Sequence, residues 1–100
     1  MGKFSRDKGA REERAIVNTL REHGIDAERV PLSGAAGGSH VGDILIGERR
    51  AEAKLRASGF RNLYEWLERV QYLFVRADRR EQLVVMRESE FLRLLRNSNP

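Results

Sequence analysis

Asp43 and the triplet Glu52-Ala53-Lys54 are the residues of this chain best suited to chemistry: two carboxylates and an ammonium that can hold a divalent metal ion against a phosphate. The residues between them, Ile44-Leu45-Ile46-Gly47-Glu48-Arg49-Arg50-Ala51, read as two strands around a two-residue Gly47-Glu48 loop of the type II′ kind. With Ile46 paired to Arg49, Asp43 lies opposite Glu52 and Val41 opposite Lys54, so the three polar groups share one face. A three-residue loop would put the two acids on opposite faces, because side chains alternate along a strand; the geometry requires a loop of even length. Like charges directly opposed destabilise a strand pair, and a hard cation with oxygen ligands resolves the conflict. Magnesium suits the position, held by one or two carboxylates while keeping waters that can be activated or exchanged. The backbone carbonyl of Ala53 is a further candidate ligand. Lys54, on the same face as Glu52, is placed to meet a phosphate or an attacking water.

The elements that must position these groups follow from the surrounding pattern. Residues 1–8 are basic and polar and read as a loose arm. Gly9 to His23 reads as a helix closed by Gly24, with Ala10, Ile16, Val17 and Leu20 as its apolar stripe. Glu13 falls within that stripe, where a carboxylate is costly unless it is paired or metal-bound. Two readings stand for it: a functional acid, or an acid at the stripe's rim in the first turn, favoured there by the helix dipole. Ala27 to Leu32 reads as a strand broken by Pro31, which suits a strand end or an edge. The small, polar run from Ser33 to Ser39 lacks a Walker lysine and reads as a mobile loop feeding the site. After the hairpin of Val41 to Leu55, residues 60–71 read as a second helix with Leu63, Leu67, Val70 and Phe74 in line. Trp66 and Tyr64 flank that stripe as core or interface residues rather than base-stacking ones. Tyr72 to Arg76 and Gln82 to Met86 read as strands around a turn at 77–80, and Ser89 as the cap of a last helix. The order α, β, β-hairpin, α, β, β, α is that of a mixed α/β domain, the hairpin central and helices packed on the sheet. One hundred residues make one domain, 9–96, followed by a short tail at 97–100.

Composition narrows the chemistry. Nineteen Lys plus Arg against fifteen Asp plus Glu give +4, which favours a polyanionic partner. Only Lys3, Lys8 and Lys54 are lysines, and the remaining cations are Arg, suited to bidentate phosphate grip. With no cysteine there is no disulfide framework, thiolate metal site or cysteine nucleophile. No apolar run is long enough to cross a membrane and the start has no signal-peptide pattern, which points to a cytoplasmic, nucleoid-associated protein of cellular, viral or prophage source. Lys3, Arg6, Lys8 and Arg11 make a cationic start beside the first helix, and Arg49-Arg50 stands at the hairpin tip. Both are candidates for phosphate contact, whose affinity falls steeply with salt. Nothing resembles a base-reading helix, so selectivity for DNA shape fits better than sequence specificity.

A helix with an inward acid, followed by Asp and by Glu-x-Lys on a hairpin, resembles the PD-(D/E)xK nuclease superfamily, and within it archaeal-type Holliday junction resolvases. The shared elements are Lys8-Gly9, Glu13-Arg14, His23-Gly24, Arg29, Ser33, Asp43 and Glu52-Ala53-Lys54, in that order. Gly42 stands where the superfamily's name has Pro. The resemblance implies a restriction-endonuclease-like fold, a mixed central sheet with a catalytic β-hairpin flanked by helices. It also implies Mg²⁺, with Mn²⁺ as substitute, and branched DNA, a four-way junction, as substrate. It favours the functional reading of Glu13. Asp43 and Glu52 then ligate one or two Mg²⁺ ions, Glu13 ligates directly or orients a metal-bound water, Lys54 positions the nucleophile or stabilises the transition-state charge, and Ser33 donates to a phosphate or a metal-bound water. Arg14 and Arg29 become candidates to grip the backbone, while His40 is not required. A symmetric homodimer, implied mainly by the resemblance, presents two sites to two strands, with the apolar helices from Phe60 onward as its interface. Two other readings compete: a nuclease of the same superfamily acting on flaps, nicks or single strands, and a basic nucleic-acid-binding module without catalysis.

Overall fold

The first helix, α1 (Lys3–Glu22), begins six residues earlier than the sequence pattern suggests. Residues 3–8 contain no breaker, and Gly9 is accommodated in mid-helix at a cost of about 1 kcal/mol relative to Ala. The computed structural model describes residues 3–30 and 43–98, with side chains from Lys8 onward. The expectations for Pro31, the Ser33–Ser39 loop with Ser33, His40 and Val41-Gly42 lie outside these residues, as do the side chains of Lys3 and Arg6. The chain divides into two compact units, Met1–Leu55 and Arg56–Pro100.

At its C-terminal end α1 closes as the sequence indicates. Gly24 takes a φ of 79°, its amide donates to the Arg21 carbonyl (2.9 Å), and the Ile25 amide donates to the Leu20 carbonyl (3.0 Å). This is the Schellman arrangement, which needs a left-handed residue that glycine supplies without a Cβ penalty. Nδ1 of His23 donates to the Thr19 carbonyl (2.9 Å), and Nε of Arg21 donates to the Ala27 carbonyl (2.8 Å), tying the helix end to the first strand.

That strand, β1 (Ala27–Arg29), pairs antiparallel with β2 (Ile44–Ile46), which pairs antiparallel with β3 (Arg49–Ala51). The hairpin has the expected register, Ile46 opposite Arg49 across Gly47-Glu48. Gly47 carries a φ of 62° and Glu48 none in the positive range, the type II′ pattern. Val17 and Leu20 of α1 are buried together with Ala27 and Ile44 of the sheet. Ala27, Arg29, Ile44, Ile46 and Ala51 share one face by alternation and register.

The second unit holds α2 (Arg61–Trp66), β4 (Tyr72–Val75), β5 (Leu83–Met86) and α3 (Glu88–Asn97). Helix α2 is shorter than the 60–71 pattern suggests. The Arg87 guanidinium donates to the carbonyls of Leu67 (2.5 Å) and Val70 (3.2 Å), satisfying backbone acceptors in the turn that follows. Leu67 is buried and Leu63 half-buried, but Trp66 and Tyr64 are 54% and 74% exposed, so the core reading of these two aromatics does not hold. Strands β4 and β5 pair antiparallel, with Phe74 opposite Val84. The cap of α3 is Arg87, not Ser89, which sits inside the first turn beside Glu88 and Glu90, acids that favour this end of a helix. Glu90 accepts from Arg93 (3.0 Å), and that hydrogen bond and charge raise the Arg93 pKa above the ordinary arginine value.

The chain is therefore mixed α/β, and its described strands form two antiparallel sheets, β1-β2-β3 in the first unit and β4-β5 in the second, rather than one mixed sheet. Among the described residues β4 and β5 pair with each other.

Candidate active site

Glu13 lies within α1 and not in its first turn, because the helix begins at Lys3, so the helix-dipole account of this acid does not apply. It is neutralised by Arg29 of β1, whose Nη2 stands 3.0 Å and Nε 3.1 Å from Oε1. The carboxylate is 18% exposed and its partner 33%. The pairing follows from register: Arg29 lies opposite the buried Ile44 and on the same sheet face, so its side chain leaves the sheet on the side of Ala27, which also belongs to the core. The sequence-based role of Arg29, a grip on DNA, thus begins from a residue already committed to an acid.

A recess of about 250 Å³ adjoins this pair, lined by Lys8, Gly9, Glu12, Glu13, Ala53 and Leu55. It joins the first half of α1 to the chain just beyond β3. Ala53 is among the lining residues, and Glu12, absent from the residues singled out in the sequence, adds a second carboxylate. Helical position could have shown it, since residues 8, 9, 12 and 13 fall along one side of a helix.

Beyond β3 the alternation continues: Ala51 and Ala53 are half-buried, Glu52 and Lys54 exposed. Glu52 and Lys54 fall on the same side, as expected for residues two apart, and form an ion pair with Nζ 2.6 Å from Oε2. Neither lines the Glu13 recess.

Asp43 departs from the extrapolated ladder. Its amide donates to the Ala51 carbonyl (2.9 Å) and its own carbonyl accepts from the Val30 amide (2.9 Å). In a regular strand both groups point to the same neighbour; here they point to opposite ones, β3 and β1. Asp43 and Ile44 therefore both face Ala51, a β-bulge, and a bulge re-aims the side chain it carries. The expected direct opposition of Asp43 to Glu52 is replaced by this offset. Asp43 is half-buried while Glu52 is exposed.

Carboxylate oxygens and a backbone carbonyl are the donors that suit a hard divalent ion, and Glu12, Glu13, Asp43, Glu52 and Ala53 are of that kind. Among the described residues, however, no three acids or histidines stand close enough together to hold one. The structure brings Glu13 to Arg29, Glu13 and Ala53 to one recess, and Glu52 to Lys54. Of the proposed DNA contacts, Lys8, Arg11, Arg14, Arg49 and Arg50 are exposed. Lys8 lines the recess, and Arg49 and Arg50 lie at the hairpin end. No described helix is long and apolar enough to cross a membrane.

The chain matches the family described as archaeal Holliday junction resolvase (hjc) over residues 4–94, a stretch that includes every candidate site residue except Lys3 and runs through both units. No curated protein and no solved structure matches it.

Proposed function

Because the chain belongs to the archaeal Holliday junction resolvase family, a family of nucleases that act on DNA, we propose that it is a metal-dependent, structure-selective endonuclease that hydrolyses phosphodiester bonds in four-way junctions. The observation that carries the reading is the family match across residues 4–94, which contains Glu13, Asp43 and Glu52-Ala53-Lys54. The recess shared by Glu13 and Ala53 supports it from geometry.

In this reading Asp43, Glu52, Glu13 and the Ala53 carbonyl hold Mg²⁺, or Mn²⁺ in its place. A bound divalent ion supplies charge neutralisation at the phosphate and a water of lowered pKa. Lys54 donates to the reacting phosphate, or orients its attacking water, from a position already beside Glu52. Ser33 donates to a phosphate oxygen. Arg14 and Arg29 hold the backbone near the cut, and Lys3, Arg6, Lys8, Arg11, Arg49 and Arg50 extend that grip. A homodimer supplies two such sites to opposed strands.

The test is Mg²⁺-dependent cleavage of a four-way junction, a flap and plain duplex by wild type, Asp43→Asn and Glu52→Gln. Selective junction cutting lost in both variants, by at least about 10²-fold, with junction binding retained, supports the proposal. Equal cutting of all three substrates sinks the junction specificity, and an intact junction after incubation with wild type sinks the enzyme reading.

A further inference from the structure

The turn between β4 and β5 carries Arg76, Arg79 and Arg80, three exposed arginines that the proposed site does not use. Its chain reversal is closed by the Arg80 amide, which donates to the Ala77 carbonyl (3.1 Å), and Arg79 occupies the third position with a φ of 64°. That setting, positive φ in the third place, is ordinarily filled by Gly or Asn, because a Cβ there crowds the following carbonyl. Elsewhere the described chain fills left-handed positions with Gly24, Gly47 and Gly59. The other non-glycine at positive φ, Phe60, is compensated locally, since its carbonyl accepts from the Tyr64 amide at the start of α2 (3.2 Å). Arg79 has no such return: no ion pair or side-chain hydrogen bond engages it, Arg76 or Arg80 among the described residues. Asp78 and Glu81 stand in the same segment and leave it one positive charge, three arginines less two acids, yet neither pairs with an arginine.

An arginine held in a glycine's conformation, flanked by two more with no internal acceptor, makes no side-chain contact that rewards the fold and presents three forked donors to solvent. Backbone strain that the surrounding structure does not reward marks a side chain kept for its own chemistry. Guanidinium groups match phosphate oxygens bidentately and without reference to sequence. We propose that the Arg76–Arg80 turn is a second phosphate-binding site, gripping the backbone of a DNA arm away from the scissile bond. This rests on the junction-nuclease reading for the identity of the polyanion, and on the turn alone for its location.

Arg79→Gly tests it because structure and function are expected to move in opposite directions. Relief of the left-handed strain raises the melting temperature, by about 4–8 °C for a domain of this size. Loss of one phosphate contact weakens binding of a four-way junction, in EDTA so that no cutting occurs, by about eightfold at ~0.1 M salt. It also lowers the slope of log K against log salt by about 0.9. Arg76→Gln and Arg80→Gln weaken binding likewise, and Asp78→Asn, which removes a repelling charge, tightens it. An Arg79→Gly protein that gains stability but keeps wild-type affinity and salt slope overturns the proposal, as does one that loses stability, since Arg79 would then be structural. If wild type itself fails to bind the junction, the nuclease reading falls first, and with it the polyanion assigned to this turn.

Discussion

Both nitrogens that Arg29 offers to Glu13, Nη2 at 3.0 Å and Nε at 3.1 Å, converge on the single oxygen Oε1. A fork-to-fork pair would have spread over both carboxylate oxygens. Glu13 carries this ion pair while lining, with Glu12 and Ala53, the recess beside it.

Glu13→Gln and Arg29→Gln should therefore separate. Glu13→Gln keeps the shape and removes the charged oxygen: cleavage falls by about 10²-fold or more, while the melting temperature moves little. Arg29→Gln leaves the Glu13 carboxylate, 18% exposed, without its guanidinium partner, a stability cost of about 1–3 kcal/mol, and DNA affinity falls. Single-turnover cleavage, thermal melts and junction titrations distinguish the two profiles; matching losses of cleavage and binding in both variants would refute separate roles.

Gly47→Ala should destabilise through the backbone alone. Nothing lies within 4 Å of the Cβ it would add, so there is no packing clash, but φ of 62° disfavours any L side chain by about 1–2 kcal/mol. A lowered melting temperature with unchanged cleavage per folded molecule is the expected result. Unchanged stability would show that the loop is not built on that conformation.

Inserting one residue between Gly47 and Glu48 should be far more damaging to activity than to folding. An odd loop shifts β3 by one residue and turns Glu52 and Lys54 to the other face. Junction cleavage is expected to vanish while circular dichroism still reports a folded chain; retained cleavage would mean that the register of β2 and β3 does not position the catalytic groups.

How much of this was legible in advance depends on whether a residue's placement is set locally. The two-residue loop and the Ile46–Arg49 pairing follow from Gly47 and the flanking strand pattern. Gly24 ends α1 for a reason carried within five residues. The bulge at Asp43 does not follow from alternation, because alternation extrapolates a ladder and has no means of announcing that an amide and a carbonyl will part to different neighbours. The Glu13–Arg29 pair joins residues 16 apart through a sheet register that becomes known only once β1 pairs with β2. Likewise the separation into two sheets depends on which strands find each other, and the exposure of Trp66 and Tyr64 on what α2 packs against.

Leu92→Ala should destabilise the second unit out of proportion to its size. Leu67 and Leu92 are its two buried hydrophobic residues among those described, each 6% exposed, so the truncation removes a large share of the apolar contact there. A loss of about 2–5 kcal/mol is expected, read by urea denaturation. A cost below about 1 kcal/mol would show that this interior tolerates the loss by collapse.

Arg87 donates back across 20 residues to Leu67 and across 17 to Val70, whereas α1 is completed by bonds that reach no more than five. As the chain emerges from the ribosome, the first helix can be finished before the next element exists. The turn after α2 has only the local bond from the Val70 amide to the Leu67 carbonyl (3.3 Å) until Arg87 has left the exit tunnel, and adding the Arg87 bonds then bears the entropy of closing a longer loop. The second unit's turn thus depends on a residue made 20 positions later, where the end of α1 is closed by residues already at hand.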